Sequence, residues 1–366
     1  MRRILMHVGP SVGNYEVLLR MVRDNVGFNS PEFLESMQNS LDGVSLLFGA
    51  DKSYTPFIIP GGGTSVMEAA ATFLQENDRI LVASNGVFGD RWREIFRRYR
   101  VTVDYVNVAA GESVTGNMIS ERFGDRRYRM GFFTHVETST GVRSQVPEIA
   151  RELRKVSDFV VLDGVASIGG EEAEAAKWGI DYFVTASQKA IGAPPGAGIA
   201  VASGKLMESI PDKSLAGYSL NLANWMDPME SYLAGKGKYF ATLPVHTILG
   251  LSYAIDLIRE ETMKRRVERH SNVRALLADG INDLGLGILA KDGFRSNTVT
   301  GVLTGDLDAR GLISECFTHG VEFASGVHPS LAGKYLRIGH MGWVTENDAA
   351  TAISVLRNAI RSISRR

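Results

Sequence analysis

Short apolar runs alternate with helical patterns along the first two thirds of the chain. The strand candidates are residues 54–60 (YTPFIIP), 79–84 (RILVAS), 101–108 (VTVDYVNV), 128–137 (YRMGFFTHVE), 158–164 (DFVVLDG), 179–186 (GIDYFVTA) and 198–203 (GIAVAS). Apolar positions recur at helical spacing in 64–77, 87–99 and 146–157. This alternation indicates βαβ units and a mostly parallel sheet, of the α/β class, with helices on both faces. Ligands of such sheets bind beyond the carboxyl ends of the strands, so the residues after each strand are the candidates for chemistry.

The pattern changes near residue 245. Residues 245–283 form one long helical pattern, and shorter apolar runs at 298–305 and 321–326 predict strands between helical patterns at 308–320 and 345–364. This combination of predicted helices and strands is typical of a small α+β domain. We therefore predict an N-terminal arm (1–20), a large domain (21–250) and a small C-terminal domain (251–366).

Composition narrows the class of protein. Of the 366 residues, 44% are apolar and 22% charged, and the net charge of -1 argues against a general nucleic-acid binder. The short basic runs RRYR (97–100) and ISRR (363–366) are more typical of solvated faces. The single cysteine, Cys316, excludes an internal disulfide or a cysteine-based zinc site. The apolar run in MRRILMHVGP is too short for a secretory signal, and no run reaches the roughly 20 residues of a membrane span, so we expect a cytoplasmic protein.

Four features lie at or just beyond predicted strand ends. Asp163 closes one strand, and Lys189 follows the next after 26 residues, the spacing of neighbouring strands. The turn GGGT (61–64) joins a strand to a helix, and Arg337 follows an apolar pair. Each feature alone has an ordinary explanation, respectively a cap, a surface lysine, a tight turn and an ion-pair partner. The turn matches neither dinucleotide nor nucleoside-triphosphate motifs.

Together the four features predict one kind of ligand. A helix N-terminus after glycines suits a phosphate, and a buried aspartate suits a cationic ring nitrogen. Lysine can attack a carbonyl, and arginine clamps a carboxylate. Pyridoxal 5′-phosphate with an amino acid has all four groups.

The chain resembles the class V pyridoxal-phosphate aminotransferases, in particular the alanine/serine–glyoxylate or pyruvate group. The blocks that carry the resemblance, in order, are HVGPSVGNYEVL, SNGVFGDRW, HVETSTGV, LDGVASIGG, SQKAIGAPPG and LRIGHMG, and they cover nearly the whole chain. The resemblance implies fold type I, with a mostly parallel seven-stranded sheet in the large domain and a smaller C-terminal domain beside it.

The resemblance also implies roles for single positions. Lys189 resembles the Schiff-base lysine, and Asp163 the partner of the pyridinium nitrogen. Phe88 falls where the family stacks an aromatic ring on the cofactor, although that position can be tryptophan in close relatives. The other matching cofactor positions are Gly62, Gly63 and Thr64 at the phosphate, Thr138 and Val165 near the ring, and Gln188 at the phosphate.

Further positions concern the substrate and a second subunit. Arg337 matches the clamp on the substrate carboxylate, and Gly9 lies in a segment that borders the substrate. Tyr239 and Thr242 match residues that reach the phosphate from the other subunit of a homodimer. The implied reaction is a ping-pong transfer of an amino group from alanine or serine to glyoxylate or pyruvate.

Several alternatives remain open at this stage. An aspartate donor needs a second cation, for which Arg143 is a candidate, although a surface ion pair is the commoner role for such a residue. A cysteine desulfurase needs a cysteine on a mobile loop, whereas Cys316 lies in a helical pattern. A non-catalytic binding protein would have lost Lys189 or Asp163, and both are present. The seven histidines show no metal-ligand spacing, so we expect no catalytic metal.

Overall fold

A computed structural model of the chain describes residues 3–11 and 13–363. The last three residues of the basic run ISRR lie outside this part. The helices are α1 Tyr15–Leu19, α2 Pro31–Phe48, α3 Gly63–Ala69, α4 Val87–Phe96, α5 Gly116–Phe123, α6 Val146–Val156, α7 Ala175–Trp178, α8 Gly204–Met207, α9 Leu222–Leu233, α10 Val245–Glu261, α11 Met263–Asp283, α12 Ala309–Thr318 and α13 Glu346–Ile363. The strands are β1 Ile4–Leu5, β2 Tyr54–Gly61, β3 Arg79–Ser84, β4 Thr102–Asn107, β5 Tyr128–Thr134, β6 Val136–Glu137, β7 Val142–Arg143, β8 Ser157–Asp163, β9 Tyr182–Ala186, β10 Gly196–Ser203, β11 Gly287–Ile288, β12 Val299–Leu303, β13 Val321–Glu322, β14 Ala324–Ser325 and β15 Tyr335–Gly339.

The large sheet confirms the predicted α/β architecture. Its seven strands run in the order β2-β10-β9-β8-β5-β3-β4, and only β10 is antiparallel to its neighbours. Strands β8 and β9 pair in parallel with Asp163 opposite Val184. The chain therefore leaves both strands at the same sheet edge, as the spacing of Asp163 and Lys189 predicts.

A smaller antiparallel sheet, β11-β12-β15-β14, lies in the C-terminal part of the chain. It has its own apolar core, to which α11, α12 and α13 contribute together with Met6 from the N-terminal segment. Strand β1 pairs with β13 in parallel, so the N-terminal segment is tied to this unit. The domain limits at 20/21 and 250/251 stay predictions.

The long helical pattern predicted over residues 245–283 is wrong in one respect, because two helices share it. Thr262 lies between them with a φ of +66°, which a continuous α-helix cannot contain. The Thr262 hydroxyl then accepts a hydrogen bond from the backbone N–H of Arg265 and caps α11. Apolar periodicity continues through the break and therefore does not reveal it.

Other predicted elements have different limits. The pattern at 64–77 is α-helical only to Ala69 and continues as a 3₁₀ turn over Ala70–Phe73. The run 321–326 is two short strands with different partners, β1 and β15. Helix α2 is missing from the predicted elements, although Ser30 caps it and Gly49 ends it in a left-handed conformation. No helix within the described residues is long and apolar enough to cross a membrane.

Candidate active site

Lys189 lies in the turn that follows β9, at the carboxyl edge of the large sheet. Its Nζ donates a hydrogen bond of 2.5 Å to the carbonyl oxygen of Val8. Gly9 has a φ of +134°, and a Cβ atom there would lie 2.2 Å from the lysine Nζ. Desolvation, and next the charge of Arg337, lower the pKa of Lys189 to about 8. The N-terminal segment thus covers an amine that is partly neutral near that pH.

Asp163 is the last residue of β8 and is buried. The backbone N–H of Val165 donates to its Oδ1 at 2.8 Å. Burial raises the pKa of Asp163 to about 7, and the nearby Glu137 adds to the rise, whereas Arg91 and Lys189 oppose it. A carboxyl group in this position would be stabilised as a carboxylate by a cationic ligand group.

Glu137 positions the helix that carries Phe88. It is fully buried, and its carboxylate accepts from the backbone N–H groups of Phe88 at 3.2 Å and Gly89 at 2.9 Å. The hydroxyl of Ser139 donates to the same carboxylate at 2.6 Å. Glu137 therefore caps the first turn of α4, the helix that carries Phe88 into the wall of the cavity described next. Nothing in the sequence marks Glu137 as buried, because a glutamate at the end of a strand is ordinarily exposed.

A cavity of about 200 Å³ lies between these groups. It is lined by Gly63, Thr64, Met67, Phe88, Arg91, Thr138, Asp163, Val165, Gln188 and Lys189. The turn before α3 needs glycine here, since a Cβ on Gly63 would lie 2.6 Å from Cγ2 of Val165. At Gly62 a Cβ would lie 3.7 Å from Nε2 of Gln188. Residues predicted from four separate sequence blocks thus meet around one space.

Arg337 belongs to the small sheet and lies next to the wall of this cavity. It lies on β15, is 6% exposed, and donates from Nε to the carbonyl of Ser325 at 2.8 Å. Its Nη1 donates at 3.1 Å to the carbonyl of Thr138, a residue of the cavity wall. No carboxylate within the described residues forms an ion pair with it. Burial lowers the pKa of Arg337, whereas the nearby Tyr335 and Glu137 raise it.

The whole chain has relatives among known proteins. Residues 15–349 match the family described as Aminotransferase class-V. The chain belongs to this family. Alanine–glyoxylate aminotransferase 1 of Saccharomyces cerevisiae is 36% identical to this aminotransferase over 354 residues, which is 92% of this chain and 91% of the yeast protein. The L-aspartate–glyoxylate aminotransferase of Paracoccus denitrificans is 30% identical over 338 residues, 90% of this chain and 84% of that protein.

Solved structures agree with this assignment. An alanine–glyoxylate aminotransferase from Nostoc sp. superposes on this chain with a TM-score of 0.93 at 26% sequence identity. The superposition covers 99% of this chain and 96% of the Nostoc chain. The predicted family and fold type are therefore confirmed, and the chain is a pyridoxal-phosphate-dependent aminotransferase.

The cavity fits the cofactor of this family. Asp163 offers a buried carboxyl for the ring nitrogen, and Lys189 offers an amine. The Oε1 atom of Gln188 is buried and has no hydrogen-bond partner among the described residues, so it can accept a hydrogen bond from a donor group of a ligand. Gly62 and Gly63 leave the space that larger side chains would fill. No group of three or more potential metal ligands occurs in residues 3–11 and 13–363.

Arg91 is a further cavity residue that the sequence analysis omits. Its guanidinium lies over the Phe88 ring, 4.6 Å from the centroid, and donates to the hydroxyl of Thr64 at 3.3 Å. It follows Phe88 by one helical turn, which is the signal that could have indicated it. Arg91 adds a positive charge beside the glycine turn.

Two groups of predicted residues lie away from the cavity. Tyr239 and Thr242 are exposed, and their hydroxyls lie 3.4 Å apart. Neither is among the described residues that line the cavity, so their predicted contact with the phosphate would need a second chain. Arg143 lies 3.5 Å from the buried carboxylate of Glu171 and does not line the cavity. This contact favours the ion-pair interpretation of Arg143.

Arg266 ties together the segments that carry the site. It is fully buried on α11 and donates at 2.8 Å both to the carbonyl of Gly169, beyond Asp163, and to that of Ala190, beside Lys189. It also donates at 3.3 Å to the carbonyl of Gly342, beyond Arg337. One guanidinium therefore links three segments of different origin. The run KRRVERH gives no sign of this, because buried and exposed arginines look alike in a charged helix.

Proposed function

We propose that this aminotransferase moves the amino group of alanine or serine to glyoxylate or pyruvate in two half-reactions. The observation that carries the proposal is a desolvated amine, Lys189, near a buried arginine, Arg337, whose described hydrogen bonds go to backbone carbonyl oxygens and not to a carboxylate. A small amino acid can place its amino group near Lys189 and its carboxylate at Arg337. The names of the yeast and Nostoc relatives support glyoxylate as the acceptor.

Bound pyridoxal phosphate would supply an aldehyde that takes up amino groups and a ring that accepts the electron pair left at the substrate Cα. We propose that Lys189 Nζ removes the proton from that Cα, for which a pKa of about 8 is suitable. Asp163 would hold the proton on the ring nitrogen, and Arg337 would orient the substrate carboxylate. The hydroxyl of Thr64, the Nε2–H of Gln188 and the backbone at Gly62 and Gly63 would hold the phosphate.

A second donor has one observation in its favour. Aspartate needs another cation, and the cavity contains Arg91. The relative from Paracoccus denitrificans is named for aspartate. However, Arg91 lies over Phe88 and bonds to Thr64, on the side of the proposed phosphate turn, which favours cofactor binding over a substrate side chain.

A desulfurase is the least supported alternative. The single cysteine, Cys316, is buried in α12, and burial raises the pKa of its thiol to about 12. A desulfurase nucleophile must be an accessible thiolate. Cys316 has neither property.

We also propose that the enzyme is a cytoplasmic homodimer in which Tyr239 and Thr242 of one chain approach the phosphate of the other. Exposed aromatic side chains support a covered surface here, since Tyr218 is 79% and Tyr239 65% exposed. Sedimentation of the purified protein gives the assembly, and cell fractionation gives the compartment. Mixing Lys189→Ala chains with Tyr239→Phe chains should restore activity in hybrid dimers if the sites are shared.

A matrix of donors and acceptors tests the reaction. Alanine, serine and aspartate are each offered with glyoxylate or pyruvate, and the keto acid and amino acid products are quantified. We expect the highest kcat/KM for alanine or serine with glyoxylate. A clear preference for aspartate would replace the proposed donor, and sulfide release from cysteine without transamination would overturn the proposal.

A further inference from the structure

A second polar cavity lies where the two units of the chain meet. It encloses about 270 Å³ and is lined by Arg143, Ser271, Arg274, Asp292, Gly293, Arg295 and Asn297. These residues come from β7, from α11 and from the segment before β12. None of them lines the Lys189 cavity. The two spaces are therefore separate.

The arginines of this cavity retain unused hydrogen-bond donors. Arg274 donates only a long bond of 3.4 Å, from Nη2 to the hydroxyl of Ser271, and its Nε is buried without a partner in the described part of the chain. The Nε of Arg295 is also buried, and no described residue accepts from it. A guanidinium has five N–H donors, and leaving buried ones unpaired is unfavourable. A ligand could supply the acceptor that these N–H donors lack.

The carboxylates nearby do not compensate for the three guanidinium charges. Asp292 lies 2.6 Å from Nη2 of Arg295, but its side chain is 86% exposed. Glu171 contacts Arg143 at 3.5 Å, also interacts with the charge of Arg274, and accepts from the backbone and side-chain amides of Asn297. Asp292 is the only carboxylate among the lining residues. The cavity therefore keeps an excess of positive charge.

We propose that this cavity binds a small tetrahedral oxyanion with two negative charges, as inorganic phosphate or as the phosphate group of a small monoester. Planar guanidinium groups bind such oxygens with two parallel hydrogen bonds. The hydroxyl of Ser271 accepts from Arg274 and can donate its own proton to the anion. No aromatic or apolar side chain that could pack against a base is among the described lining residues, which favours a compact anion over a nucleotide.

Binding would join the two units, because Arg143 lies on the hairpin strand β7 whereas Arg274 and Arg295 belong to the C-terminal part. A ligand that binds only the folded protein raises its stability in proportion to occupancy. The proposal does not depend on the donor and acceptor proposed above. It predicts an anion-dependent rise in melting temperature whichever substrate the enzyme uses.

The test uses the enzyme loaded with its cofactor, so that the cofactor's own phosphate position is filled. Inorganic phosphate and glycerol 3-phosphate are titrated by calorimetry at constant ionic strength, up to about 10 mM, the range of weak specific binding. We expect one saturable site per chain for phosphate, with a matching rise in melting temperature. Binding of glycerol 3-phosphate as well would identify a monoester site, and phosphate binding alone would identify the free ion as the ligand.

Variants locate the site. Arg274→Gln and, as a milder change, Arg274→Lys should weaken phosphate binding by roughly tenfold or more, the loss expected for a charge-assisted pair. The exposed Arg357→Gln is the matched control and should bind like the parent. Absence of saturable binding would overturn the proposal. So would binding that survives in both Arg274 variants but disappears in Arg337→Gln, because the anion would then occupy the substrate position.

Discussion

A Cβ atom on Gly9 would lie 2.2 Å from Nζ of Lys189, so these two residues fit together only because one of them has no side chain. The amine is also bonded to the carbonyl of Val8. The N-terminal segment and the turn after β9 are therefore matched in shape at the reacting amine.

Replacing Gly9 by alanine should disturb that amine more than the fold. The new methyl group displaces Lys189 or the N-terminal segment, and we expect kcat/KM to fall roughly tenfold or more, since small misplacements of reacting groups are costly. Steady-state kinetics and cofactor content measure the effect. Gly333→Ala is the control, because Gly333 has a φ of +73° but open space around its Cβ position. Equal losses in both variants would show that backbone strain alone is responsible.

Removing the guanidinium of Arg337 should act on substrate carboxylates. We expect Arg337→Gln to lower kcat/KM by about 10–100-fold, which corresponds to about 1.5–3 kcal/mol for a hydrogen bond to a charged group. A primary amine without a carboxylate should be turned over slowly and equally by both proteins. If the variant lost activity toward that amine to the same extent, Arg337 would have a structural role instead.

Asp163 should destabilise the cofactor-free protein at alkaline pH. Its folded-state pKa of about 7 lies above the ordinary value of 3.8, so the stability it contributes is complete below about pH 4 and is lost as the pH rises through about 7. Cofactor-free Asp163→Asn should therefore exceed the parent in free energy of unfolding by up to about 4 kcal/mol at pH 8, at 1.4 kcal/mol per pKa unit. The two proteins should be nearly equal at pH 4.

Urea unfolding at the two pH values measures this difference. Burial raises the pKa of Glu171 to about 7 as well, but that group is present in both proteins and cancels in the comparison. With cofactor and substrates present, the parent should have the larger free energy of unfolding, because the asparagine cannot hold the proton on the ring nitrogen as a carboxylate does. A difference in unfolding free energy that is independent of pH would contradict the assigned shift.

How much of this site the sequence predicts depends on how each residue is placed. Asp163 and Lys189 end or follow uninterrupted apolar runs, so strand pairing brings them together by a rule that patterns reveal. Arg337 is marked in the sequence only as an arginine after an apolar pair. Its place between Gly301 and Ala324 comes from the pairing of the short strand β15 with β12 and β14, which the apolar pattern does not reveal. The break at Thr262 depends on one backbone angle, which apolar periodicity does not encode.

The sequence does not predict the role of Arg266. Its replacement should lower the free energy of unfolding and disturb the alignment of the three segments that it links. Arg266→Met leaves the carbonyls of Gly169 and Ala190 without their donor and breaks the ion pair of 2.7 Å with Glu261, and we expect a loss of about 3 kcal/mol in unfolding free energy, near the lower limit for a broken buried ion pair. The adjacent exposed Arg265→Met should change stability little. Urea unfolding compares them, and similar losses would indicate a general helix effect.

The visible absorption of the loaded enzyme tests the central claim most directly. If Lys189 is the amine to which pyridoxal phosphate is linked, Lys189→Ala should lose the absorption band of that link and all measurable transamination, while the exposed Lys213→Ala keeps both. A Lys189→Ala protein that retains the parent's absorption band and turnover would contradict the account.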